Sequence, residues 1–350
     1  VMPNTTSTHV AMSPPAYLAS ATDTRWAATK LTRISDAPSF AQPTQGPTWN
    51  NFGAVYPLQQ HWSLNGDRML CRAIGIDSVG NENPHWFYTS MHVLNGATGA
   101  YIAPCTDVVN RGLPGQWRWS NVVNDEIIFI EGPYDTATAS STPVALQTYT
   151  PSTQTFGTLK SFLGPYDRLV GLFYGNNWSQ SNSGRYWCLL MRKTADSLWY
   201  IVVWDRTNDV IAREWQVTSN AYIHQYSFGV SPLGNYMWIA ALDSNMACAG
   251  AQVDAGITTY SMTTGAVVGH LGEVYGASNP ISHTGPTLDA DGNEVWVHFW
   301  GANNSAFNER DIRSWKMDGS QSAPGRAECA QGLSVGLYYL STVVPGWALV

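Results

Sequence analysis

The segment Phe228-Gly-Val-Ser-Pro-Leu-Gly-Asn-Tyr-Met-Trp-Ile-Ala240 holds two short runs rich in β-branched and aromatic residues, separated by Pro-Leu-Gly-Asn. Such runs on either side of a Gly/Asn turn predict a β-hairpin. The pattern returns at His61–Ala73 and at Pro286–His298, and weaker versions fall around Asn124 and Gly184. The turns recur about every 55 residues, and a period in this range indicates an array of similar supersecondary units.

A second series of hairpins lies between the first, so each repeat contains four strands. Its members are Phe87–Ile102, Val144–Leu159, Trp199–Trp215, Ile257–Leu271 and Ile312–Gly325. No stretch of helical periodicity is longer than about two turns, which leaves an all-β interpretation. Four-stranded units repeated around an axis form a β-propeller.

The first hairpins resemble the repeat of TolB-type propellers, a WD40-like (PD40) class. The resemblance is carried by Trp62-Ser-Leu-Asn-Gly-Asp-Arg-Met-Leu70, Val230-Ser-Pro-Leu-Gly-Asn-Tyr-Met-Trp238 and Asp289-Ala-Asp-Gly-Asn-Glu-Val-Trp-Val297. It implies the propeller architecture over roughly residues 54–350. It implies little about chemistry, because propellers host unrelated functions.

The two ends of the sequence predict how the ring closes. The chain finishes at Tyr338–Val350, the first hairpin of a sixth unit without its second. Arg25–Ile34 resembles an outermost strand, and pairing it with the last unit would remove two sheet edges. We therefore expect one propeller domain over residues 22–350 with six blades, or seven if the natural chain extends beyond Val350, preceded by an extended arm at residues 1–21.

Composition limits the classes of partner. Only 12% of residues are charged, the net charge is −7, and the sequence is rich in Asn, Ser, Thr, Gly and aromatic residues. A negative chain argues against binding a nucleic-acid backbone, which needs a basic patch. No apolar run approaches 18 residues, so no membrane span is expected. The neutral, hydroxyl- and amide-rich composition is typical of extracellular, cell-surface and virion proteins.

Cysteines and tryptophans divide between core and loop positions. Cys71 and Cys188 lie in strands with apolar neighbours and are expected to be buried thiols, whereas Cys105, Cys248 and Cys329 lie in loops and are free to pair. Four strand tryptophans are expected in the core between blades: Trp62, Trp187, Trp238 and Trp296.

Three histidines are the candidates for catalysis. His61 and His283 precede first hairpins and His224 lies just before another. Three imidazoles that converge on the channel mouth could ligate a divalent metal. The oligogalacturonate lyases, a family with a similar repeat, use a histidine and glutamine cluster around a metal. This sequence lacks His-x-His and a glutamine just upstream of paired histidines in its C-terminal third. The alternative is that these histidines cap strands.

Another motif resembles a calcium loop. Asp289-Ala-Asp-Gly-Asn-Glu294 matches the first half of an EF-hand loop, but the twelfth position is Trp300 instead of glutamate. A plain hairpin turn is the favoured interpretation, and no metal site is assigned.

Two loops combine tryptophan with asparagine. Indole faces stack on sugar rings while asparagine amides pair with hydroxyl groups, so these loops are candidates for binding glycans or protein. Simple loop packing is the alternative. The candidate ligand-binding residues are Asn176, Asn177, Trp178, Trp300, Asn303 and Asn304.

Two functions from different classes remain. The favoured one is a non-enzymatic structural or adhesive propeller displayed on a virion, an appendage or a cell envelope, without a cofactor, contacting surface glycans or neighbouring subunits. The alternative is a carbohydrate-active enzyme, a metal-assisted polysaccharide lyase with its site at the channel mouth.

Overall fold

The computed structural model describes residues 16, 18–23, 29–32, 48–54, 62–76, 89–105, 117–130, 144–170, 179–217, 227–241, 256–272, 284–301, 310–321, 325–328, 339–340 and 348–349. All regular structure in these residues is β-strand. In this part of the chain no helix is long and apolar enough to cross a membrane.

Five antiparallel sheets follow one another along the chain, here called blades 1 to 5, and a short hairpin precedes them. The hairpin pairs β1 (Ser20–Asp23) with β2 (Thr29–Thr32). Blade 1 contains β3 (Thr48–Ala54), β4 (Arg68–Ile76), β5 (Thr89–Asn95) and β6 (Tyr101–Pro104). Blade 2 contains β7 (Arg118–Trp119), β8 (Ile127–Ile130), β9 (Ala145–Thr150) and β10 (Thr155–Ser161).

Blades 3 to 5 repeat the same order. Blade 3 contains β11 (Tyr166–Val170), β12 (Ser179–Gln180), β13 (Tyr186–Lys193), β14 (Trp199–Asp205) and β15 (Val210–Gln216). Blade 4 contains β16 (Ser227–Val230), β17 (Tyr236–Ala241), β18 (Gly256–Ser261) and β19 (Val267–Gly272). Blade 5 contains β20 (Thr284–Leu288), β21 (Glu294–Gly301), β22 (Arg310–Lys316) and β23 (Gly325–Glu328).

The fold is therefore an all-β propeller with four-stranded blades, as predicted, but the predicted count of six is wrong because the described residues form five. In the C-terminal unit they form only one hairpin, β24 (Tyr339–Leu340) with β25 (Ala348–Leu349). The predicted closing segment Arg25–Ile34 contributes β2, which pairs locally with β1. Local pairing with a preceding strand requires a shorter closed loop than pairing with the C-terminal unit.

The chain divides into two compact units, each with its own apolar core. Blade 1 and most of blade 2, up to Phe129 and again over Thr148–Gly157, belong to one unit, and the rest of blade 2 and blades 3 to 5 belong to the other. In the first, Trp117 stacks on Phe129 with ring centroids 4.4 Å apart, beside Tyr149. In the second, Trp238 meets Trp296 edge to face at 4.5 Å. Large aromatic rings fill the space between successive sheets, as the strand positions of these residues predict.

Three of the four tryptophans expected in the core are buried, namely Trp187, Trp238 and Trp296. Trp62 contradicts the prediction, because 40% of it is exposed. Strand β3 ends at Ala54, and Trp62 rejoins the sheet only through an isolated bridge to Met69. Its indole N–H donates to the carbonyl of Gly96 at 3.4 Å.

The turns of the first hairpins in blades 1, 3, 4 and 5 share one hydrogen-bonding scheme. The glycine N–H donates to the carbonyl three residues earlier, and the side-chain oxygen of that earlier residue accepts from the backbone where the next strand begins. Ser63, Ser181, Ser231 and Asp289 fill this position. A serine or aspartate followed three residues later by glycine is thus the chemical basis of the repeat.

One turn glycine also touches the neighbouring blade. Gly234 has φ +83°, and a Cβ there would lie 2.4 Å from Cδ2 of Tyr186 in blade 3. Gly292 occupies the same turn position with φ +81°, but a Cβ there would meet nothing within 4 Å. Both positions therefore strain an L-residue, and only Gly234 adds a clash.

We predict that Gly234→Ala lowers the free energy of unfolding by about 2–4 kcal/mol, and that Gly292→Ala costs only about 1 kcal/mol of backbone strain. Chemical denaturation of the two variants measures the difference, which isolates the contact with Tyr186. Equal losses in both variants would mean that the blade contact tolerates the methyl group.

Candidate functional site

The two ends of each blade carry different kinds of connection. In an antiparallel meander the first and third connections lie at one end, here the turn end. The second connection and the link to the next blade lie at the other, here the loop end. Third connections are tight in blades 1 to 4, at 96–100, 151–154, 206–209 and 262–266, and longer in blade 5, at 317–324. Second connections are longer in four blades, at 77–88, 131–144, 242–255 and 302–309.

The turn end is fastened by hydrogen bonds between successive blades. The backbone N–H of Asn65 donates to Oδ1 of Asn124 at 2.8 Å, and Asn124 Nδ2 donates to the Asp67 carboxylate. Farther along, Leu233 N–H donates to Glu294 Oε1 at 2.6 Å. These contacts occupy the polar groups of the turns, so the turn end is suited to holding blades together.

The turn that resembles a calcium loop belongs to this scheme. Asp289 Oδ1 accepts from the backbone N–H of Asp291 and of Asn293, and Asp289 Oδ2 accepts from Asn293 Nδ2. Glu294 is bound to Leu233. Asp289 and Glu294 thus accept hydrogen bonds within the protein, as expected of a plain hairpin turn.

Most of the predicted site residues lie outside the described residues: His61, His224, His283, Asn176, Asn177, Trp178, Asn303 and Asn304. Of Trp300 only the backbone is described, in β21 opposite Asp311. The roles proposed for these residues therefore remain predictions.

Chain position nevertheless assigns these residues to particular connections. Asn303 and Asn304 belong to the second connection of blade 5, next to Trp300 at the loop end. His224 and His283 belong to the links that lead into β16 and β20, which are also loop-end connections. His61 instead precedes Trp62, whose bridge partner Met69 follows the first turn of blade 1.

The segment around Trp178 has an unusual position in its blade. Strands β11 and β12 both pair with β13, with Val170 opposite Leu190 and Ser179 opposite Cys188. Together they occupy the first strand position of blade 3, and residues 171–178, which separate them in the sequence, lie outside the described residues.

Blade 3 has the best-defined polar site at the loop end. Its two connections there, 162–165 and 194–198, are short. They are joined by a hydrogen bond from Thr194 N–H to the Pro165 carbonyl at 3.0 Å. Around them lies a set of ionic and phenolic side chains, named here the blade 3 cluster: Tyr166, Asp167, Arg168, Arg192, Lys193, Asp196, Tyr200 and Glu214.

The cluster is a connected network. Arg192 holds Asp167 through two hydrogen bonds, of 2.8 and 2.5 Å. The Glu214 carboxylate accepts from Tyr166 Oη at 3.0 Å and from the Lys193 ammonium. The same ammonium lies 4.5 Å from the centroid of the Tyr200 ring.

Shifts in pKa indicate the protonation states of three residues of the cluster at neutral pH. Burial, and then the neighbouring Glu214 carboxylate, raise the pKa of Tyr166. The hydrogen bond to Asp196 raises the pKa of Tyr200 to about 12. The hydrogen bond from Arg192 lowers the pKa of Asp167. At neutral pH both phenols are therefore neutral donors and Asp167 is ionised, so none of the three is poised to exchange a proton.

The described cysteines are buried. Cys71 and Cys188 are buried, as predicted, and Cys105 is also a buried free thiol. Burial raises the pKa of Cys71 to about 12, which removes the reactive thiolate. Among the described residues no group of three or more His, Cys, Asp and Glu side chains is placed to hold a metal.

Comparison with known proteins yields similarity of fold at low sequence identity. No protein-family model and no curated protein matches the sequence. Among solved structures, TolB from Acinetobacter baumannii shares 14% identity at a TM-score of 0.40, over 69% of this chain and 49% of that one.

Two oligogalacturonate lyase structures are also similar. One, in complex with manganese, shares 10% identity at a TM-score of 0.45, over 76% of this chain and 63% of that one. The other, from Vibrio parahaemolyticus, shares 9% at 0.48, over 88% of this chain and 71% of that one. This chain thus spans about half the length of the TolB structure and less than two thirds of the manganese-bound lyase.

Proposed function

We propose that this protein is a non-enzymatic structural or adhesive β-propeller, displayed on a cell surface, an appendage or a virion. Its loop end would contact glycans or neighbouring protein copies. The observation that carries the proposal is the difference between the two ends of the blades. The turn end uses its polar groups to join blades, whereas the loop end carries the long connections, including the one that holds Asn303 and Asn304 next to Trp300.

Trp178 and Trp300 are the proposed anchors. Aromatic side chains dominate contact energies because they bury a large area at low entropic cost. Asn176, Asn177, Asn303 and Asn304 would orient the ligand through hydrogen bonds. Surface glycans and adjacent subunits are the proposed partners, and no cofactor is required.

We predict that Trp178→Ala or Trp300→Ala weakens attachment to the natural surface or assembly by about 2 kcal/mol, a factor of roughly 30 in affinity. Attachment of the folded variants at low and high ionic strength is the measurement. Because the anchors are uncharged, we expect little salt dependence. Unchanged attachment in both variants would exclude these loops.

A metal-assisted polysaccharide lyase is the second candidate. The observation in its favour is that His224 and His283 belong to loop-end connections of successive blades. Under this alternative a divalent metal held by His61, His224 and His283 would acidify a proton of the substrate.

If the protein is a metal-assisted lyase, we expect a chelator and His283→Ala each to abolish formation of unsaturated sugar products. A panel of acidic polysaccharides with added divalent metals provides the assay. Absence of product under every condition would leave the adhesive function as the explanation.

A further inference from the structure

Six charged residues lie at the loop end of blade 3: Asp167, Arg168, Arg192, Lys193, Asp196 and Glu214. Stability does not explain this concentration, because partly exposed ion pairs contribute only about 0.2–1 kcal/mol each. Four of them, Asp167, Arg192, Lys193 and Glu214, keep between 24% and 34% of their side chains exposed. Part of their hydrogen-bonding capacity therefore faces outward.

An apolar side chain projects next to these charges. Leu163 is 70% exposed, the most exposed large apolar residue among those described. It lies in the short link 162–165, between the buried Phe162 and Tyr166. That link is held by a hydrogen bond from Tyr166 N–H to the Phe162 carbonyl and by the bond from Thr194 to Pro165. The leucine is thus presented on a preorganised support, which lowers the entropic cost of binding.

We infer that this surface, made of Leu163 and the blade 3 cluster, binds a second copy of the same chain. The charge balance selects this partner. The chain carries a net charge of −7, so two copies repel each other overall. The cluster holds three acidic and three basic residues, so copies that meet here avoid local like-charge repulsion.

A patch that carries both positive and negative charges can also be complementary to the same patch on a second copy. In a two-fold symmetric contact each residue meets the same surface of the other subunit, so an acidic group of one copy can face a basic group of the other. Leu163 of the two copies would supply the apolar contact. This inference rests on the proposed contact function and specifies one partner, a neighbouring copy, at residues distinct from the tryptophan loops.

Sedimentation velocity of the full chain over a wide concentration range tests the inference. We expect a reversible dimer whose dissociation constant rises about tenfold or more in Leu163→Asp, because that variant places a charge in the contact. Leu233→Asp is the matched control. It changes a leucine that is 50% exposed at the turn end, and it should leave the dimer unchanged. Leu163→Ser provides a milder second variant.

The dependence of binding on ionic strength distinguishes the proposed dimer contact from attachment through the tryptophan loops. High ionic strength should weaken the dimer severalfold, since charged groups contribute to it, whereas attachment through Trp178 and Trp300 should change little. A chain that stays monomeric at every concentration, or a dimer that Leu163→Asp leaves intact, would overturn the inference. Loss of attachment in the tryptophan variants with an intact dimer would show that the two contacts are separate.

Discussion

Replacing Trp296 by alanine is expected to lower the free energy of unfolding by about 3–5 kcal/mol. Trp296 is completely buried, and its ring meets Trp238 edge to face at 4.5 Å, beside Ile257 and Met317. Truncation would remove the largest side chain of this cluster and leave a cavity between blades 4 and 5.

Trp296→Phe, which removes the indole N–H but keeps an aromatic ring, is the matched control. Trp296 Nε1 is buried and has no hydrogen-bond partner in the described part of the chain. Trp296→Phe keeps an aromatic ring and removes an N–H that now costs desolvation energy, so its loss should be clearly smaller than that of alanine. Equal losses in the two variants would mean that the volume of the indole does not decide the stability of this contact.

Urea denaturation followed by hydrogen exchange measures both the size and the location of the effect. In an array of repeated units, stability is a sum of unit and neighbour terms, so the loss of protection should concentrate in blades 4 and 5. A uniform loss over all described strands would show that the propeller unfolds as one cooperative unit.

The blade architecture was predictable from the sequence because turn chemistry is local. A serine or aspartate three residues before a glycine specifies its own hydrogen bonds, as at Ser231 and Gly234, and the period of these turns then specifies the repeat. The burial of Trp187, Trp238 and Trp296 followed from their positions in strands. Trp62 looked the same in sequence, but it is 40% exposed and pairs with Met69 through an isolated bridge, which its sequence context does not reveal.

The blade 3 cluster was not predictable in this way. Its members come from β11, β13, β14, β15 and the connection between β13 and β14, and they span Tyr166 to Glu214. Register across a sheet brings them together, for example Tyr166 opposite Lys193, and that register is not visible in the spacing of charges. The pairing of Arg25–Ile34 is a similar case: its described part, Thr29–Thr32, pairs with Ser20–Asp23, and likeness to an edge strand does not specify which strand it pairs with.

Lowering the pH from 6.5 to 4 is expected to reduce stability through one histidine in the middle of blade 1. His92 lies in β5 opposite Cys71, is only 1% exposed, and its Nδ1 lies 3.3 Å from Oη of Tyr101. Burial disfavours the charged imidazole and lowers the pKa of His92 from 6.5 to about 4. Between these two values the unfolded chain binds a proton that the folded chain does not, so stability falls as the pH falls.

The expected loss is on the order of 3 kcal/mol, because each pKa unit corresponds to about 1.4 kcal/mol. Denaturant midpoints measured between pH 7 and 4 provide the test. His92→Asn keeps a side-chain acceptor near Tyr101 but cannot titrate, so it should be less stable at pH 7 yet show a much smaller slope. Tyr101→Phe should keep the slope, because burial and not the hydrogen bond lowers the pKa. If His92→Asn and the parent protein lose stability in parallel, other groups cause the acid sensitivity.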